Sequence, residues 1–315
     1  MKISAITVLF LPLFSCAQLK WTNVDHEFGP LPKGVHIYFT EQKIDTAPFR
    51  AYYIIARLKN KKLEFTTDTT WQRRMTPQQF YERNDNPLVV VNGTFFSFET
   101  NQNLNVVIKD GKLLSHNISS VKIKKGDTSE QVPVRRGAIG ISKKRRADVA
   151  WLLTDSTSEV LASQFPILKG NMFTRTTING QPVNHRIIES YTPWNMQTAI
   201  GGGPVLIQNG EIRITNEFEK MFTGKAFHDR HPRTAMGYTS NGRLIILVIE
   251  GRNPQAAGAT LMQEAQILKD LGCVEALNLD GGGSSCMLVN GKETIRPSDK
   301  KQRPVPAVFI IRNKK

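Results

Sequence analysis

Three consecutive glycines lie between two apolar runs near the end of the chain. In VEALNLDGGGSSCMLVNG (274–291), the first run ends on Asp280, and three glycines and two serines follow at 281–285. Glycine loses more backbone entropy on folding than any other residue, so a triplet indicates a place where side chains would block a close approach. Successive backbone N–H groups in such a turn can form an anion-binding concavity. The triplet therefore predicts a binding site, and a tight turn without a ligand is the simpler alternative.

A strand, a helix and a second strand lead up to the glycines. The segment 243–250 (RLIILVIE) is almost entirely apolar and predicts a strand buried on both faces. The segment 260–271 predicts a helix that begins with a capping box and ends before Gly272. This order predicts a right-handed βαβ crossover with parallel strands. The strands would then end at one edge of the sheet, on Glu250 and Asp280, where ligands gather in open sheets.

The rest of the chain adds strands and tight turns. Residues 35–39, 50–58 and 88–91 predict strands, and a second capping box at Thr76 predicts a short helix to about Arg83. We therefore predict an α+β fold, with a mixed β-sheet, antiparallel hairpins around a βαβ unit and helices packed on the sheet. Region 115–190, rich in basic and polar runs, predicts an insertion or flap. Asn-Gly and Asp-Gly pairs predict hairpin turns at 110–111, 179–180, 209–210, 241–242 and 290–291.

The first residues have the pattern of a short secretion signal. Lys2 precedes an apolar stretch up to Phe14, which is too short to span a bilayer as a mature helix. The stretch ends in LFSC (13–16), which resembles a bacterial lipobox with Cys16 as the lipidated first residue. Ordinary cleavage near Ala17 is the alternative. Both interpretations predict export to the cell envelope, and the first predicts a membrane anchor through a lipid on Cys16.

The formal net charge of the chain is +15. The basic residues are spread along the sequence, and the densest run, KKRR at 143–146, lacks interleaved aromatic residues. We therefore predict no nucleic-acid partner. An exported basic protein is more consistent with anionic polymers or phosphorylated sugars as partners, and the charge would also serve solubility alone.

The cysteines and histidines do not have metal-site spacing. Cys273 and Cys286 are the two internal cysteines, and an exported protein can pair such residues. However, folding the chain back at the glycines would place Cys286 opposite Leu279, so both outcomes stay open. We predict no metal and no other cofactor. A calcium ion held by Asp280 and carbonyl oxygens is the alternative.

Six segments follow one another in a fixed order from about residue 88 to the end: VVVNGTFF (89–96), AIGGGPVLIQNGEI (199–212), HPRTAMG (231–237), VIEGRNPQAAGATLMQEAQILKDLG (248–272), ALNLDGGGSS (276–285) and RPVP (303–306). Together they resemble the phosphodiester glycosidase family. The resemblance implies that residues 88–315 form the catalytic domain, after a signal at 1–16 and an N-terminal region at 17–87 with strands and a helix. It also implies hydrolysis of a sugar-1-phosphodiester at the anomeric carbon.

The expected reaction assigns roles to the charged residues of these segments. A departing phosphate is already a weak base, so the site needs cations or N–H groups for the phosphate and a carboxylate to assist attack. Guanidinium groups grip phosphate through two hydrogen bonds, which makes Arg233 a catalytic candidate. We predict Asp280 as the main catalytic carboxylate and Glu250 as its partner. The predicted substrate-binding residues are Asn92, Arg252, Gly281, Gly282, Gly283, Ser284, Ser285 and Arg303.

The separation of the two carboxylates bears on the mechanism. Adjacent strands would bring them to about 5 Å, as in a retaining glycosidase. One intervening strand would roughly double the strand spacing and leave room for a water molecule, as in an inverting enzyme. The buried run at 88–91 is a candidate for such a strand.

The chain departs from the family pattern at three positions. Glu250 stands where the family usually has Asp, Thr94 replaces the second glycine of an Asn-Gly-Gly segment, and His231 stands where Arg is common. These departures concern the fit of the substrate more than the reaction class. No G-x-S-x-G motif surrounds Ser284 or Ser285, so we predict that they bind substrate. Two other functions stay open, namely a phosphodiesterase that cuts the P–O bond and a non-enzymatic envelope protein that binds polysaccharide.

Overall fold

The structure of the chain is a computed structural model that describes residues 18–154, 159–166, 173–178, 181–186 and 191–314. The predicted signal, Cys16 and the Asn-Gly pair at 179–180 lie outside these residues. In the described part, the helices are α1 (Pro77–Arg83), α2 (Asn216–Glu219), α3 (Lys225–His228) and α4 (Leu261–Asp270). None of them is long and apolar enough to cross a membrane.

The fold consists mostly of β-strands. In chain order they are β1 (Thr22–Asn23), β2 (Val35–Thr40), β3 (Ala51–Arg57), β4 (Leu63–Thr69), β5 (Val89–Asn92), β6 (Val107–Lys109), β7 (Lys112–Ser115), β8 (Ser120–Lys125), β9 (Thr128–Pro133), β10 (Arg136–Ile141), β11 (Ala147–Thr154), β12 (Val160–Ser163), β13 (Phe173–Ile178), β14 (Gln181–Arg186), β15 (Thr192–Pro193), β16 (Thr198–Gly201), β17 (Val205–Gln208), β18 (Glu211–Ile212), β19 (Arg233–Thr239), β20 (Arg243–Ile249), β21 (Cys273–Asn278), β22 (Met287–Val289), β23 (Lys292–Glu293) and β24 (Ala307–Asn313).

These strands form three large sheets and two separate hairpins. The eight-stranded sheet has the order β1-β2-β3-β20-β19-β21-β17-β18, and the seven-stranded sheet has the order β15-β12-β11-β10-β16-β6-β7. The five-stranded sheet has the order β23-β22-β5-β24-β4, and the hairpins are β8-β9 and β13-β14. Every strand pairing among the described residues is antiparallel.

The predicted α+β fold with a mixed sheet is therefore wrong in these two respects, because the fold is mostly β and its sheets are antiparallel, although the strand–helix–strand order is present. Helix α4 does connect β20 to β21, and these two strands run in the same direction. They are not neighbours, because β19 lies between them and pairs antiparallel with both. The intervening strand is thus β19, and the predicted candidate at 88–91 belongs to the five-stranded sheet as β5.

The eight-stranded sheet is buried on both faces. On one face, Ile246 and Val248 of β20 share a core with residues of the other two large sheets, such as Val91 and Trp151. On the other face, alternate residues of β20 pack with residues of α4 in a second core. The prediction that 243–250 is buried on both faces is confirmed, since residues 244–250 are all buried.

The predicted local signals agree well with the structure. Thr76 and Thr260 each form the full capping box, with Gln79 and Gln263 respectively. Four of the predicted turn pairs lie between paired strands. The pairs 110–111, 209–210 and 290–291 are the whole connection from β6 to β7, β17 to β18 and β22 to β23, while 241–242 belongs to the three-residue connection 240–242 from β19 to β20.

The region predicted as an insertion or flap contributes to the core. Strand β10 is buried along its whole length and pairs with β11 and β16 at the centre of the seven-stranded sheet. The hairpins β8-β9 and β13-β14 are the parts of 115–190 that form sheets of their own. Strands from residues 17–87 also join sheets with later strands, since β3 pairs with β20 and β4 pairs with β24.

Candidate active site

The glycine triplet makes a close backbone contact with Pro232, the residue before β19. A short 3-10 helix spans Gly282–Ser284, a few residues after β21, and the Gly282 N–H donates to the Pro232 carbonyl at 2.9 Å. A Cβ atom on Gly281 would come within 2.9 Å of the same carbonyl oxygen. Gly282 has a φ of +61°, a value that side chains other than glycine rarely adopt. These contacts explain why side chains are excluded from the turn.

Arg303 lies against one side of the turn. A side chain on Gly283 would collide with the Arg303 guanidinium and with the Asp299 carboxylate. Arg303 is held by Asp299, with an Nη2–Oδ2 distance of 2.7 Å, and its Nη1 approaches Ser284 Oγ at 3.5 Å. Asp299 was not predicted, because a carboxylate in an irregular segment gives no sequence signal of its own.

Arg252 lies against the other side. Its Nη2 atom would be 3.2 Å from a Cβ on Gly282 and is 3.3 Å from Nδ1 of His231. Burial, together with the charges of Arg233 and Arg252, lowers the pKa of His231. The imidazole is therefore held in its neutral form at neutral pH, and it can accept a hydrogen bond from Arg252.

Asp280 is the carboxylate at the start of this turn. It keeps some solvent exposure, yet burial raises the pKa of its carboxyl group from 3.8 to about 7. Hydrogen bonds from Ser284 and the Gly281 N–H and the charge of Arg303 act in the opposite direction. The group can thus exchange a proton near neutral pH, which is the property of a general base or acid.

Asn92 supports this turn from the end of β5. Its Nδ2 donates to the main-chain carbonyl of Asp280 at 2.6 Å, and its Oδ1 accepts from the Cys286 N–H at 3.0 Å. The hydroxyl of Thr234 also donates to Oδ1 at 2.9 Å and lies 3.2 Å from Ser285 Oγ. Since Asn92 is fully buried and its amide is used in these bonds, it shapes the turn.

Glu250 stands at the same sheet edge, on the far side of β19. Ile249 pairs with Arg233 of β19, while the glycine turn binds the neighbouring Pro232 from the opposite side. Two strand spacings amount to roughly 10 Å between the backbones of Glu250 and the turn. Glu250 and Asp280 therefore lie at one edge of the sheet, as predicted, and strand β19 lies between them.

The Glu250 carboxylate is engaged by neighbouring groups. It is 2% exposed, and its oxygens accept from Asn253 Nδ2 at 3.0 Å and from the Arg296 N–H at 3.1 Å. Arg50 Nε lies 3.8 Å away. The Glu250–Asn253 bond spans Arg252, whose φ is +63°, and so it holds the loop that presents Arg252 to the turn.

Arg233 is also engaged by its surroundings. Its side chain is almost fully buried, and Nε donates to the Ala259 carbonyl at 3.0 Å and Nη2 to the Asp229 carbonyl at 3.4 Å. Glu264 of α4 is completely buried close by, and burial raises its pKa to about 8 against the effect of Arg233. In the described part of the chain, neither Glu264 oxygen has a hydrogen-bond partner.

An exposed aromatic residue stands at the rim of the site. Phe98 is 64% exposed, and the guanidinium groups of Arg74 and Arg303 lie 5.2 and 5.5 Å from its ring centroid. The sequence contained no pattern that joins Phe98 to Arg303, since they meet only through the fold.

The two internal cysteines are not bonded to each other in the structure. Cys273 and Cys286 are buried free thiols, and burial raises the pKa of Cys273 to about 12. Within the described ranges, no group of three or more His, Cys, Asp or Glu side chains is arranged to hold a metal ion.

Comparison with known proteins connects this arrangement to one family. Residues 85–312 match the family described as phosphodiester glycosidase. The chain is 30% identical over 155 residues to the N-acetylglucosamine-1-phosphodiester alpha-N-acetylglucosaminidase of Mus musculus, which is 47% of this chain and 29% of that protein. It is 37% identical over 92 residues to the SPbeta prophage-derived uncharacterized protein YomE of Bacillus subtilis, or 29% of this chain and 14% of that protein. The chain spans less than a third of the length of these relatives.

Solved structures share the fold. The zebrafish N-acetylglucosamine-1-phosphodiester alpha-N-acetylglucosaminidase catalytic domain, auto-inhibited by its pro-peptide, superposes with a TM-score of 0.61 at 20% identity, over 95% of this chain and 89% of that chain. A hypothetical protein from Synechocystis superposes with a TM-score of 0.61 at 16% identity, over 94% of this chain and 64% of that chain.

Proposed function

The chain belongs to the phosphodiester glycosidase family, and from that premise we propose that it hydrolyses a sugar-1-phosphodiester at the anomeric carbon. One observation carries the proposal. Arg252 and Arg303 flank a glycine turn that directly follows Asp280, a carboxyl group with a pKa of about 7. Two guanidinium groups and the backbone of the turn suit a phosphate, and a carboxylate beside them suits attack at the neighbouring carbon.

In the proposed reaction, water attacks the anomeric carbon while Asp280 accepts its proton. The bond between the anomeric carbon and the bridging oxygen breaks, and its electron pair goes to the departing phosphate. Arg252 and Arg303 hold the charge that develops on that phosphate. Asp280 then returns the proton to the phosphate monoester, so the products are a free sugar and a phosphate monoester.

We assign the other predicted residues supporting roles. Glu250 holds the Arg252 loop through Asn253, and Asn92 holds the Asp280 carbonyl. Arg233 donates hydrogen bonds that fix the main-chain carbonyls of Ala259 and Asp229. The contacts therefore best support Asp280, Arg252 and Arg303 as the residues that act directly on the substrate.

Hydrolysis in water enriched in ¹⁸O tests the reaction. The substrate would be an α-N-acetylglucosaminyl 1-phosphodiester, chosen because the named relatives act on N-acetylglucosamine-1-phosphodiesters. Label in the sugar hydroxyl supports cleavage at the anomeric carbon, and label in the phosphate would show a phosphodiesterase instead. Turnover that Asp280→Asn abolishes while the fold stays intact supports the enzyme. No turnover over a broad set of sugar-1-phosphodiesters, together with measured binding of a polysaccharide, would favour the non-enzymatic alternative.

We also propose that the protein is exported and anchored through a lipid on Cys16. Lys2, the apolar stretch to Phe14 and the lipobox-like LFSC at 13–16 support this proposal. Cells fed a radioactive fatty acid should label the protein, and Cys16→Ser with a conventional cleavage site should release it in soluble form. An unlabelled wild-type protein would exclude the lipid anchor.

A further inference from the structure

A large groove lies at the end of β3 and β20 that is opposite to the glycine turn. It encloses about 1160 Å³, and we call it the basic groove. Its lining contains no Asp or Glu. The Lys and Arg residues that line it are Lys33, Arg57, Lys59, Lys61, Lys62 and Arg243.

The fold gathers these charges from three separate segments. Arg57 ends β3 and pairs directly with Arg243, which begins β20, so two guanidinium side chains start from neighbouring positions. The segment 59–62 forms the turn from β3 to β4, and Lys33 precedes β2. Gly34, with a φ of +84°, lets the Arg57 side chain lie against its backbone, because a Cβ there would be 3.3 Å from Arg57 Cδ.

Nearby carboxylates do little to neutralise the basic groove. Asp25 is paired with His36 at 2.8 Å, and Glu64 is paired with Arg312 at 2.9 Å. Lys59, Lys61 and Lys62 are exposed. With no carboxylate in the lining, the six positive side chains repel one another. Their clustering in one groove therefore indicates an anionic partner.

The shape and the other lining residues narrow the class of partner. A concave groove accommodates a polymer chain better than the surface of a membrane. Proteins that bind single-stranded nucleic acid add exposed aromatic platforms to a basic groove. Here the lining aromatic residue is Tyr38, whose ring is already stacked on Tyr53 at 4.8 Å. The exposed side chain of Asn313 instead offers an amide group at the groove for sugar hydroxyls. The amide of Asn60 is used within the protein, since it donates to the Lys33 carbonyl and accepts from the Lys62 N–H.

We infer that the basic groove is a second binding site, which takes an anionic polysaccharide. Seven residues of β20 separate it from the sheet edge at Glu250, which corresponds to roughly 20 Å. The groove would therefore hold the polymer at a distance from the proposed reaction. That the anionic groups are phosphodiesters, and not carboxylates, rests on the proposed function.

Binding to a soluble polysaccharide with phosphodiester-linked repeats tests the inference. The full chain carrying Asp280→Asn is used, so that binding is measured without turnover and a failure of the proposed reaction does not affect the result. The groove variant is Lys59→Glu/Lys61→Glu/Lys62→Glu. The matched control is Lys112→Glu/Lys122→Glu/Lys124→Glu, which makes the same charge change at exposed positions on β7 and β8.

The groove variant should raise the Kd at least tenfold, and the control should raise it less than threefold. The Kd of the parent protein should increase with salt, and neutral dextran should not bind. Equal weakening by both variants would show that net charge alone acts, and would overturn the inference. Stronger binding to single-stranded DNA or to anionic vesicles than to the polysaccharide would also overturn it, while hyaluronate binding as strongly as the phosphodiester polymer would overturn only the choice of anion.

Discussion

Asn92 Nδ2 donates a 2.6 Å hydrogen bond to the main-chain carbonyl of Asp280, which lies 188 residues further along the chain. The bond ties the end of β5 in the five-stranded sheet to the end of β21 in the eight-stranded sheet. The catalytic candidate is therefore positioned by two sheets together, and its geometry depends on how they pack.

Asn92→Ala should reduce both stability and activity. It leaves the Asp280 carbonyl and the Cys286 N–H without the partners that they have in the native protein. Each buried polar group without a partner costs about 1–3 kcal/mol. Urea unfolding should show this loss. The control is Asn195→Ala, at an exposed loop position, and kcat/KM should fall further in Asn92→Ala than in this control. An unchanged free energy of unfolding would mean that the turn does not need Asn92.

The activity should depend on the ionisation of Asp280. Its pKa of about 7 is raised from 3.8, so the group is increasingly protonated, and inactive as a base, as the pH falls below 7. We expect kcat/KM to rise with pH and level off above an apparent pKa near 7. Asp280→Asn should lower kcat by orders of magnitude and abolish this limb. A retained limb in the variant would assign it to another group.

Arg303→Lys should weaken transition-state stabilisation. Lysine keeps the charge but loses the planar pair of donors that suits phosphate. We expect kcat/KM to fall by a factor equivalent to about 2 kcal/mol. Arg213→Lys is the control, since Arg213 pairs with Glu211 on the exposed surface. Equal kcat/KM in the two variants would remove Arg303 from the site.

Glu250→Gln should cost less activity than Asp280→Asn. Glutamine keeps the size of the side chain and one oxygen, but it loses one of the acceptors that Asn253 and Arg296 now use. We expect a larger effect on KM than on kcat, because the Arg252 loop would be less well fixed. A fall in kcat as large as that of Asp280→Asn would instead make Glu250 a catalytic partner.

Glu264→Gln should stabilise the protein at alkaline pH. The folded pKa of about 8 lies above the ordinary 4.5, so the native protein favours the neutral form. Its contribution to stability is fully present below about pH 4.5 and is lost as the pH rises through 8. Glutamine does not ionise, so the free energy of unfolding of the variant should not fall in this way. The difference between the two proteins at alkaline pH corresponds to a few kcal/mol. Unfolding measured from pH 4 to pH 9 should show the two proteins diverging, and parallel curves would contradict the assignment.

Local features of the sequence predicted local structure well. The capping boxes at Thr76 and Thr260 and the turns at 110–111 and 290–291 depend on neighbouring residues, and the structure contains them. The place of Asp280 beside a glycine turn with Arg252 and Arg303 also followed from motifs.

What the sequence left undetermined depends on long-range pairing. Nothing near β19 shows that it separates β20 from β21, because only the register with distant strands decides this. Two of the contacts on which we propose a supporting role for Glu250 come from Arg50 and Arg296, which lie far from it in sequence. The basic residues likewise are spread along the chain and become a groove only when β3 pairs with β20.

The order of the five-stranded sheet constrains how the chain acquires its structure during synthesis. Strand β24 lies between β4 and β5, so a strand that follows all the other described strands in the chain is needed to join two of the earliest. Until residue 313 has left the ribosome, β4 and β5 keep open edges, and such edges are templates for aggregation. A message truncated shortly before codon 307 should therefore give insoluble protein, although every residue of the proposed site would have been translated.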